Sequence, residues 1–179
     1  MQLADLDPRD TVLVDLPTRV NFNVPNFALL FAAADCGLDI LDEHLLPYPR
    51  DRVLRSRHRN VVLAVRPHTR SAAERLATRL EDAGRRCLSL TGPVDVQCCY
   101  PFVSAGETVH HARQFGPDLP APAFERADSF TYQRANWRAG LWPYPLLTSV
   151  GCPFGCQFCA ARKRRWRARS PLRCVAELH

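Results

Sequence analysis

Apolar positions along this chain fall into short runs with two alternating periods. TVLVDLP (11–17) is apolar, rich in β-branched residues and ended by a proline, which predicts a buried strand. NFALLFAAADCG (26–37) then predicts a helix, with Asn26 as N-cap and Gly37 as its stop. LDILDEHL (38–45) is a weaker strand, and VVLAVRP (61–67) is the clearest strand of all. In HTRSAAERLATRLEDAGRR (68–86), Ala73, Leu76, Ala77 and Leu80 line one helical face; Ser71 and Glu74 have capping-box spacing and Gly84 ends the helix. CLSLTGP (87–93) is a further strand with a turn. From 94 to 115 the pattern weakens: VDVQCCYPF reads as a strand and GETVHHARQ as a short helix. Strands alternating with helices predict an α/β fold built on a Rossmann-like, doubly wound parallel sheet. Its ligand crevice would lie at the carboxyl ends of the strands, near Pro67 and Thr91-Gly92-Pro93.

The 179 residues suffice for one ordinary domain with an appendage. No apolar run approaches a membrane span, and the opening MQLADLDPRD does not read as a signal peptide, so a cytoplasmic location without membrane partners is expected. In a reducing compartment, eight cysteines read as metal ligands or reactive groups before disulfides. The formal charge of +6 is local. RKRRWRARSPLR (162–173) holds seven of the 24 cationic side chains and no acid, leaving 17 basic against 18 acidic residues elsewhere. Such a run can bind nucleic acid, but no companion motif or wider basic face supports that here, and a solvated helix entrance accounts for it.

No dinucleotide fingerprint, P-loop or Gly-x-Ser-x-Gly is present, and no catalytic residue is singled out. Adjacent residues on a strand point to opposite faces, so at most one of Cys98–Cys99 and one of His110–His111 could serve a single site. Buried cysteines and surface histidines are the simpler reading, and Cys36 and Cys87 read as core residues. GPDLPAPAFERAD (116–128) is proline-rich and reads as linker, and YPLLTSVG (144–151) as a strand delivering a cysteine-rich loop.

That loop is GCPFGCQFC (151–159). Cys152, Cys156 and Cys159 are spaced so that three thiolates can turn inward from one tight loop, eased by Gly151 and Gly155. Soft thiolates select iron–sulfur clusters, zinc or copper(I). Structural zinc sites and simple ferredoxins use four protein ligands, whereas three leave one iron of a [4Fe–4S] cube open.

This motif, with Phe158 just before its third cysteine, resembles the signature of the radical S-adenosylmethionine (radical SAM) enzymes. RWRARSPLRCVAEL (165–178) resembles the opening of that family's first barrel helix, with Ser170 as N-cap and Pro171 at the first helical position. The upstream domain resembles the cobalamin-binding-type domain that precedes many such barrels, with TGP (91–93) matching its glycine-containing loop. The resemblance implies that Cys152, Cys156 and Cys159 each bind an iron of a [4Fe–4S] cluster and that S-adenosylmethionine chelates the fourth. It places Phe158 beside the adenine. It implies reductive cleavage to methionine and a 5′-deoxyadenosyl radical, fed by an electron donor such as a flavodoxin or ferredoxin. Cobalamin is admitted by the domain type, but the Asp-x-His-x-x-Gly ligand motif is missing, and Val65 and Arg66 stand where that family often has a small hydroxyl residue.

The expected organisation is a Rossmann-like domain over 1–115, a Pro-rich linker over 116–143, and over 144–179 the first strand, cluster loop and helix start of an incomplete (β/α) barrel. A whole barrel needs about 200 residues or more, so the chain is expected to be an amino-terminal portion of such a protein, inactive alone and with its substrate unspecified. The competing reading is a zinc module in which Cys174 joins Cys152, Cys156 and Cys159, with the basic run against nucleic acid.

Overall fold

A computed structural model describes residues 1–16, 26–42, 52–92, 102–113, 115–126, 146–158 and 165–178. Five strands, β1 (Thr11–Asp15), β2 (Asp39–Asp42), β3 (Asn60–Ala64), β4 (Arg86–Thr91) and β5 (Thr108–His110), form one sheet in the order β2-β1-β3-β4-β5. Every neighbouring pair is parallel, for example Leu13 beside Val62 and Leu90 beside Val109. Chain order reverses between β1 and β3, which is the switch point of this doubly wound arrangement.

The apolar strand runs are continuous because both faces are covered. Leu13, Ile40, Val62, Leu88, Leu90 and Val109 pack against α1 (Phe27–Cys36), while Val12, Val14, Val61 and Leu63 pack against α3 (Arg70–Asp82) and Val53 of the short α2 (Arg52–Arg55). The result is a three-layer α/β sandwich. Among the described residues no helix is long and apolar enough to cross a membrane.

Local chemistry sets the helix ends. Asn26 Oδ1 accepts from the Ala28 amide, and Gly37 closes α1 in a left-handed conformation with its amide bonded to the Ala33 carbonyl. α3 begins one residue before Ser71, so the expected Ser71–Glu74 capping box does not form: Ser71 lies inside the helix, and exposed Glu74 pairs with Arg70 one turn away. Thr69 stands at that entrance instead, its Oγ1 accepting from the Arg66 amide in the turn Pro67–Thr69. The helix expected within 106–114 is a correction too, because Thr108–His110 is the edge strand β5. Its one apolar residue, Val109, is fully buried.

Residues 115–126 stay on the domain. Phe115, Leu119 and Ala123 are buried, and the Ala123 amide donates to the Leu30 carbonyl. A separate pair, β6 (Ser149–Val150) and β7 (Arg167–Ala168), is antiparallel and leads into α4 (Pro171–Ala176). Neither strand joins the five-stranded sheet.

Candidate functional site

β6 and β7 are the stems of a hairpin whose loop carries the cysteine motif, with Ser149 opposite Ala168 and Val150 opposite Arg167. Gly151 has φ +83°, and a Cβ there would lie 2.2 Å from the Arg165 carbonyl oxygen. Glycine is therefore required where the stems meet, immediately before Cys152. Gly155 has open space and no positive φ, so it is not needed for the turn in the same way.

The stems are fixed from below. Val150 is buried with Phe31 of α1, Phe115 and Leu119. Arg169 follows β7 and is turned inward: its guanidinium lies 5.6 Å from the Phe31 ring centroid, Nη1 donates to the Leu147 carbonyl, and Nη2 pairs with Glu177 Oε2 at 2.5 Å. Neither partner's side chain is more than 2% exposed. At least this member of the basic run is structural. The Ser170 side chain makes no cap hydrogen bond, although its carbonyl accepts from Cys174 and Pro171 opens α4 as expected.

Above the stems, residues 153–158 of the motif are exposed. Cys152 is half-buried and Cys156 exposed, and neither is in a disulfide. Phe158 is 94% exposed and Phe154 67%. Cys159 lies outside the described residues, as do Cys98 and Cys99. Cys174 is buried on α4, and among the described residues Cys152, Cys156 and Cys174 do not form a three-ligand group. Leu172 and Val175 on α4, with Leu178 beyond it, leave an apolar face bare.

At the switch point, Asp15 at the end of β1 meets Arg66 just beyond β3. Arg66 Nη1 lies 2.9 Å from Asp15 Oδ1, and Nη2 donates to Oδ2 at 3.1 Å, in a buried ion pair. This pair occupies the place where doubly wound sheets bind a ligand.

A third cluster borders the crevice expected at Thr91-Gly92, although the side chains that compose it were not legible as a group in the sequence. A small cleft, open to solvent, lies at the carboxyl ends of β4 and β5 beside α1, lined among others by Phe31, Thr91, Gly92, Phe102, His111 and Arg113. Gly92 has φ +142°, and a Cβ there would sit 2.3 Å from the His111 carbonyl oxygen, so this glycine lets the strand exits close up. His111 Nε2 lies 3.1 Å from Asp35 Oδ2, while Arg113 pairs with Asp35 Oδ1. Burial disfavours the charged His111 imidazole and outweighs the pull of Asp35, so its pKa falls below the usual histidine value. Burial also works to raise the Asp35 pKa, but the bonds from Arg113 and His111 prevail and hold it low. Cys36, next to Asp35 at the end of α1, has its thiol pKa pushed up to about 11 by burial and then by the Asp35 carboxylate. Cys87 is pushed up to about 12, chiefly by burial, as befits a core cysteine. Asp35 and His111 are 76 residues apart, and no local spacing joins them.

Comparisons with protein-family models, with curated proteins and with solved structures each return no match for this chain, so what it does is read from its own residues.

Proposed function

We propose that the cysteine hairpin holds a [4Fe–4S] cluster and, through it, S-adenosylmethionine, in the manner of radical SAM proteins. The observation that carries this is the Cys-x3-Cys-x2-Cys run in a loop whose stems are pinned while its first two thiols reach solvent. The donor set fits: Cys152 and Cys156 are free thiols in the described part, Cys159 supplies the third, and soft thiolates suit iron. Phe158 supports the same reading, since an aromatic ring left 94% exposed is free to cover a flat, partly apolar ligand such as adenine.

When bound, such a cluster supplies the electron that cleaves S-adenosylmethionine to methionine and a 5′-deoxyadenosyl radical. The chain's own part is to bind and orient. Gly151 turns the backbone into the loop, Arg169 and Glu177 clamp its exit, and Val150 anchors its start. The bare face of α4 is where further elements of a (β/α) barrel would pack. The reading calls for a flavodoxin- or ferredoxin-type electron donor and names no substrate. It assigns no cobalamin, because Asp15 and Arg66 fill the switch point and no histidine ligand motif is present.

Anaerobic reconstitution with iron and sulfide tests it. About four irons per chain, an EPR signal on reduction that changes with S-adenosylmethionine, and loss of iron in Cys156→Ala are expected. One tightly held zinc in place of iron, lost on Cys174→Ala, would sink the cluster and leave the zinc module.

A further inference from the structure

We infer that Asp35, Cys36 and His111 form a second metal site, for a borderline divalent cation of the zinc type, separate from the cysteine hairpin. One ligand atom from each residue lies within 4.8 Å of the other two. A carboxylate oxygen, a thiol sulfur and an imidazole nitrogen are together the donors that zinc and cobalt(II) accept in four-coordinate sites, and three of them leave a position for water. The oxygen–nitrogen spacing, which now holds a hydrogen bond, is one a metal could also bridge. Zinc–oxygen and zinc–nitrogen bonds of about 2.0–2.1 Å place tetrahedral ligands roughly 3.3 Å apart, and Asp35 Oδ2 and His111 Nε2 are 3.1 Å apart.

The surroundings hold the donors in place. Arg113 binds Asp35 Oδ1, leaving Oδ2 turned to His111, which is the outer support that metal-bound carboxylates commonly have. The His111 amide donates to the Thr91 carbonyl at 2.8 Å, and its carbonyl is packed against Gly92, so its backbone is fixed. Asp35 and Cys36 are the last two residues of α1, where the helix dipole favours a cation. With a thiolate, a carboxylate and the Arg113 guanidinium, the site carries a formal −1, and a divalent metal brings it to +1. That charge favours hydroxide or a small anion in the fourth position, and His111 and Arg113 both line the adjoining cleft.

The test uses the full chain with Cys152, Cys156 and Cys159 replaced by serine, so the hairpin cannot contribute and failure of the cluster reading leaves the result unaffected. Anaerobic titration of the metal-free protein with cobalt(II) is expected to show one site with thiolate-to-metal charge-transfer absorption. Cys36→Ser should abolish that band and His111→Gln should weaken binding at least tenfold. His110→Gln, on the opposite face of the edge strand, should leave it unchanged. Absence of the band, its survival in Cys36→Ser, or equal losses in the two histidine variants would overturn the site. If a ligand variant fails to fold, alkylation of Cys36 in the parent decides. Zinc should slow it at least tenfold, and equal rates with and without zinc would overturn the proposal.

Discussion

Asp15 and Arg66 show how one residue pair can decide what a crevice is for. Both are buried, and each charge is tolerable because the other is beside it. Asp15→Ala should therefore cost about 3–5 kcal/mol in a urea unfolding measurement, since it takes the carboxylate away from a buried guanidinium. Asp15→Leu combined with Arg66→Met should recover most of that loss. Gly151→Ala is expected to be similarly disruptive but local. It forces a left-handed conformation costing about 1–2 kcal/mol on a residue with a Cβ, and sets that Cβ against the Arg165 carbonyl. Faster amide exchange in the hairpin stems, with the sheet unaffected, is the expected readout. Punctuation at this scale was legible in the sequence: Asn26, Gly37 and Gly84 stand where their chemistry places them. Ser71 misleads because its spacing to Glu74 suits a cap, while the turn at Pro67–Thr69 hands the helix start to Thr69.

Among elements, α1 and α3 make an instructive contrast. α3 buries Ala73, Ala77 and Leu80 and turns charged residues to solvent, the amphipathic pattern its sequence predicts. α1 has almost no polar face, and its packing explains why. Leu29, Leu30, Ala32 and Ala33 meet the sheet, whereas Phe31 meets Phe115, Val150 and Arg169 on the other side. Phe31 and Phe115 stand edge to face, with centroids 6.2 Å apart. Phe31→Ala is expected to cost about 3–5 kcal/mol and to speed amide exchange in the hairpin stems beyond the general loss of stability. An all-apolar helix was therefore a visible sign that something covers its second face, though not of what does. β5 was illegible for the opposite reason: three residues, one of them a histidine and only one apolar, carry too little pattern, and pairing with β4 decides the outcome.

Across the whole molecule, local pattern carried β1 to β4, α1 and α3, because each is a contiguous segment with its own period. The Asp35–Cys36–His111 cluster escaped it because it exists only once α1 has docked and β5 has paired. Acidification should test the assembled fold. His58 has its pKa lowered, chiefly by burial, with Asp39 and Asp10 opposing and Arg57 and Arg85 adding to the shift. The folded chain then takes up that proton less readily than the unfolded one. Its contribution is fully present above the unfolded value of about 6.5 and fades as pH falls below it. In the presence of a chelator, His58→Gln should flatten the fall in Tm between pH 7.5 and pH 5.5.

The clamp of Arg169 on Phe31 and Glu177 also sets an order of events during synthesis. Phe31 leaves the ribosome about 140 residues before its cationic partner, and Glu177 follows later still. Throughout that interval the outer side of α1 has no hairpin to cover it, and the cysteines emerge before the residues that secure their loop. Nascent chains therefore display free thiols on an unsecured segment, open to cofactor delivery and to oxidants alike.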